Sequence, residues 1–66
     1  MKNNILVIEK LTARIAVCEG QIENAIRMSE MFPDDTLLQE SCNERLALAK
    51  GEIAGLQLAI AELKSK

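Results

Sequence analysis

Two heptad-spaced apolar stripes, separated by a single proline-containing break, constrain this 66-residue chain more than any other feature. The first stripe reads Ile8, Leu11, Ile15, Cys18, Ile22, Ala25, and the second Cys42, Leu46, Ala49, Ile53, Leu56, Ile60, Leu63. Apolar residues at alternating steps of three and four line one side of an α-helix, and a stripe this narrow is the seam along which one long helix packs on another. The expected fold class is all-α: an antiparallel, coiled-coil-like two-helix hairpin forming a single domain. Helix one is expected over about 4–31, the turn over 32–36 and helix two over about 37–64.

The break is Phe32-Pro33-Asp34-Asp35-Thr36. Proline pushes the residue before it out of the α region, so helix one ends there. Thr36-Leu37-Leu38-Gln39 fits the S/T-x-x-E/Q capping box and predicts Thr36 as the N-cap of helix two. Asp34 and Asp35 add negative charge near the positive end of that helix dipole, and Lys64 and Lys66 add positive charge at the far end. Asn3 or Asn4 is expected to cap helix one.

Pairing residues whose numbers add to about 68 keeps both stripes in step along their length. Ile26 then faces Cys42, Ile22 faces Leu46, Ile15 faces Ile53, Leu11 lies near Leu56, and Ile8 lies opposite Ile60. Cys18 faces Ala49 or Lys50, about eight residues or ~12 Å from the level of Cys42. A disulfide needs Cα atoms within ~7 Å, so both cysteines are expected as buried thiols.

Two helices bury one stripe each, and chains this short usually require a disulfide, a metal or a partner subunit. The chain has no His, and its two cysteines match no zinc spacing, so no metal site is expected. Stability is therefore expected from self-association or from a partner protein. The formal charge is −2, the eight basic residues are scattered, and Phe32 is the only aromatic. Nucleic-acid binding needs a clustered basic face, so nucleic acid is not an expected partner.

The apolar run Ile5-Leu6-Val7-Ile8 is cut by Glu9 and Lys10, well short of a signal-peptide core, and no run approaches a membrane span. Ile15-Ala16-Val17-Cys18 lacks the small residue that a lipoprotein cleavage box carries before its cysteine. The expected location is cytoplasmic, with no membrane partner. Catalytic constellations are missing too. There is no His, no glycine-rich phosphate loop, no base near Ser29, Ser41 or Ser65, and no activating partner for Cys18 or Cys42. The chain is read as a non-enzyme without cofactor.

What the seams leave over is apolar: Val7, Val17, Met28, Met31, Leu37, Leu48 and Leu58. A helix in a hairpin buries one stripe, so a second stripe needs another surface. Methionine suits an adaptable protein contact. The candidate partner-binding residues are Val17, Met28, Met31, Leu48 and Leu58.

In length, single hairpin and turn position the chain resembles the small YscE-type co-chaperones of bacterial type III secretion. Ala25-Ile26-Arg27-Met28-Ser29-Glu30-Met31-Phe32-Pro33-Asp34-Asp35 resembles the end of their first helix and its turn. Leu46-Ala47-Leu48-Ala49-Lys50-Gly51-Glu52-Ile53-Ala54-Gly55-Leu56 resembles their Ala-, Leu- and Glu-rich second helix. The chain departs from them in having proline in the turn and neither Tyr nor Trp. The resemblance implies a protein that binds a tetratricopeptide-type chaperone and helps keep the needle subunit unpolymerised before export. The alternative expectation is a self-assembling hairpin, a homo-oligomer of the four-helix-bundle kind, acting as a structural element or small phage-like regulator.

Overall fold

The computed structural model describes the backbone of residues 2–65 and the side chains of residues 4–65. Helix α1 spans Lys2–Met31 and helix α2 spans Thr36–Lys64. They run antiparallel as a rod of 51 × 14 × 11 Å. The fold is the expected all-α hairpin, and Lys66 lies outside the described residues. Asn3 and Asn4 fall inside the first turn of α1 and do not precede it as caps.

All residues of both predicted stripes turn inward, but the seam is unevenly closed. Only Cys18, Ala25, Cys42 and Ala49 are shut from solvent among the described residues. The larger Ile and Leu side chains of the stripes are half-buried, because two helices cannot wrap a bulky side chain on every side. The fully enclosed positions are therefore the small ones, where the backbones approach. At the turn end the inward position of α1 belongs to Ala25, 4 % exposed, and Ile26 is 44 % exposed. The expected pairing of Ile26 with Cys42 is thus corrected: Ile26 is one step beyond the stripe and lies on its flank.

Neither cysteine forms a disulfide, and both are buried as expected. Gly20, Gly51 and Gly55 have no neighbour within 4 Å of where a Cβ would stand, so none marks a close helix approach within the chain. Ala47, Ala54 and Ala61 are likewise exposed.

The turn is built from a different cap than the capping box predicts. Asp35 is the N-cap of α2, its Oδ1 accepting from the Leu38 N–H at 3.0 Å, and its backbone is extended (φ −87°, ψ 99°). Thr36 is the first helical residue. An Asp that reaches the third N–H of the helix caps it at least as well as Thr, and it brings negative charge to the dipole as well.

Gln39, released from the box, bridges the two helices. Its Nε2 donates to the Ser29 carbonyl at 2.8 Å and to the Phe32 carbonyl at 3.0 Å. The Ser29 carbonyl would ordinarily accept from the N–H four residues on, but that residue is Pro33, which has none. The Gln39 amide replaces the missing donor and ties the end of α1 to the start of α2. Asp35 N–H also donates to the Phe32 carbonyl at 3.2 Å, closing a β-turn with proline at its second position.

Candidate functional site

An antiparallel helix pair has two broad faces, one on each side of the seam. One cross-helix contact identifies which residues share a face. Arg14 on α1 donates from Nε and Nη2 to the Glu52 carboxylate on α2, at 2.5 and 3.3 Å. The two-pronged contact pulls the Glu52 carboxyl below its ordinary value, the hydrogen bond from Arg14 being the largest cause, and raises the Arg14 guanidinium in turn. The same pair lies over the seam at Cys18. Burial pushes that thiol up, with the Glu52 carboxylate as the second cause. A thiol so held is a poor nucleophile.

One heptad nearer the turn, a shallow groove lies across the helices, lined by Gln21 and Asn24 of α1 and by Arg45, Leu48, Ala49 and Glu52 of α2. Beside it, on α1, Gly20 leaves a dent that Val17, Gln21, Asn24 and Arg27 complete. Groove and ion pair belong to one broad face, and the dent lies at its outer edge, where Glu23 also lines it. Helical periodicity adds Val7, Lys10, Met28 and Met31 from α1 and Leu38 and Ala59 from α2 to that side. The opposite face presents Glu9, Glu19, Glu23 and Glu30 of α1, with Ile5 and Ile26 exposed among them, beside Lys50, Ala54, Ala61 and Lys64 of α2. The first face thus carries Val17, Met28 and Leu48 around a polar belt that includes Lys10, and the other carries more carboxylates among its exposed apolar residues.

The structure distributes the five candidate contact residues unequally. Val17 (50 % exposed) and Met28 stand eleven residues apart, three turns along one line of α1, with Met31 beside them. Leu48, 74 % exposed, faces the groove on α2 at nearly the same height as Val17. Leu58 is 64 % exposed but turned ~80° around α2 from Leu48, so it occupies the outer rim. Leu37, in line with Leu48, is exposed at the turn end, as is Phe32.

Sequence reasoning did not single out Gln21, Asn24, Arg45 or Glu52. The signal was present in their heptad positions, which flank the seam on both helices, but their pairing needs the stagger between helices. Among the described residues no three metal-ligating side chains come together, and no helix is long and apolar enough to cross a membrane. Searches against protein families, curated proteins and solved structures find no match to this chain.

Proposed function

We propose that this chain is a non-enzymatic, cytoplasmic protein-binding module that buries the broad face of Val17, Met28 and Leu48 on another helical surface. The observation that carries the reading is the set of large apolar side chains left exposed beyond the seam. Val17 and Met28 on α1 and Leu48 on α2 stay exposed on one side of a rod that encloses only four small residues among those described. A hairpin with so little enclosed apolar area is marginal by itself, and covering the open face adds the burial it lacks. The resemblance to YscE-type co-chaperones supplies a finer version, in which that surface belongs to a tetratricopeptide-type chaperone and the pair keeps a needle subunit unpolymerised. In the alternative version the surface belongs to further copies of the chain, as a four-helix bundle with a structural or regulatory role.

The test is cross-linking of the tagged chain in its own cells, with cross-linked species identified by mass spectrometry. The double substitution Val17→Asp and Met28→Asp, at exposed positions where the helices tolerate it, is expected to abolish the specific adduct. An unchanged adduct with helicity retained would refute the reading.

A further inference from the structure

The face of Val17, Met28 and Leu48 is self-complementary under one two-fold operation. Arg14 and Glu52 pair across the seam, and their numbers add to 66. Moving one heptad along each helix gives the other levels of that face: Val7 beside Ala59, Gln21 beside Arg45, and Met28 beside Leu38. At these four levels, from the open end to the turn, the face reads apolar, ion pair, amide with arginine, apolar, with Lys10 and Ser41 between levels. Val17 and Leu48 lie near the midpoint.

We propose that a second copy of this chain covers this face, set antiparallel across a two-fold axis through the midpoint. This rests on the protein-binding reading and names the partner. The operation exchanges the first level with the fourth and the second with the third. Val7 and Ala59 land on Met28 and Leu38 of the second copy, and each Leu48 meets its counterpart. Glu52 meets Arg45 of the second copy, and Arg14 meets its Gln21.

Arg45 has no ion-pair partner among the described residues of its own chain, so the copy supplies the carboxylate it lacks. A two-fold along the rod would instead place Arg45 against Gln21 and cover its charge without an acid, which is costly. Stacking the opposite faces by the same operation would set Glu9, Glu19, Glu23 and Glu30 against Ile26, Ala16, Thr12 and Ile5 of the copy and cover carboxylates without a cation, which is costly. The size fits as well. One broad face of a 51 × 14 Å rod projects ~700 Å², close to the ~800 Å² per partner of a standard interface. Two hairpins so joined form an antiparallel four-helix bundle.

The test is light scattering of the full chain across a concentration series, with refractive-index detection because the chain has neither Tyr nor Trp. The wild type is expected at twice its 7.3 kDa chain mass. Arg45→Glu sets a carboxylate against Glu52 of the copy, and Glu52→Arg sets a guanidinium against Arg45 of the copy. Each variant alone is expected to dissociate at least tenfold more readily. An equimolar mixture of the two is expected to restore a dimer, since every facing pair is then of opposite sign. Helicity measured on the same samples shows that the chains stay folded. A wild type at 7.3 kDa throughout would overturn the second copy, and single variants that dimerise as tightly as wild type would overturn the two-fold that sets Glu52 against Arg45. If such a monomer still loses a cross-linked adduct on Val17→Asp/Met28→Asp, the binding-module reading survives and only the partner is wrong.

Discussion

Replacing Gln39 with Met removes the amide that stands in for the missing N–H of Pro33 and leaves the rest of the hairpin intact. The two side chains are similar in length and helix propensity, so the change isolates the donor. Two hydrogen bonds are lost, to the Ser29 and Phe32 carbonyls. Each is worth ~0.5–1.5 kcal/mol net. The Phe32 carbonyl keeps the Asp35 N–H, so its share falls at the low end. The Ser29 carbonyl has no other donor in reach of the helix pattern, because position 33 is proline. The total loss is about 1–2 kcal/mol. For a domain of this size that lowers the melting temperature by roughly 5–15 °C.

The assay is thermal unfolding by circular dichroism at one fixed protein concentration, which holds association constant. Adding Pro33→Ala supplies the missing N–H. It is expected to recover about 0.5–1 kcal/mol more when combined with Gln39→Met than when made in the wild type, as a double-mutant coupling. Gln39→Met melting within about a degree of wild type, or Pro33→Ala acting equally in both backgrounds, would refute the assignment of Gln39 as the replacement donor.

The Arg14–Glu52 pair should show in the pH dependence of unfolding. The Glu52 pKa is lowered in the folded state, so its contribution is complete above the ordinary glutamate value of ~4.3 and is lost as pH falls through the lowered value. Glu52→Gln should remove that part of the acid slope, read from denaturant midpoints at successive pH values. Ala49→Leu should destabilise by about 1–3 kcal/mol in the same melts, because the new side chain enters one of the four enclosed positions. Cys18 and Cys42 should resist a thiol-alkylating reagent in the folded protein and react fully in denaturant, with a mass showing no internal disulfide.

Much of the hairpin is legible in the residues because the information is local. A stripe such as Ile8, Leu11, Ile15 follows from helical pitch alone, and Pro33 stops a helix whatever surrounds it. The place of the turn is local in the same way, but its cap stands one residue earlier than the capping box implies. Thr36 and Asp35 are both competent caps, and the choice depends on which side chain reaches the Leu38 N–H. The free Gln39 amide finds its use only when the last carbonyls of α1 arrive beside it.

The sequence by itself determined that two helices form, where the chain reverses, and which residues turn toward the seam. Periodicity and proline sterics act within a few residues and need no knowledge of a neighbour. Only the tertiary structure decided that Ala25 takes the inward place and Ile26 the flank, that Arg14 reaches Glu52, and that Val17 and Leu48 share one face while Leu58 is left on the rim. Those outcomes depend on the stagger and rotation of one helix against the other, which close packing of the small seam residues sets and no single helix encodes.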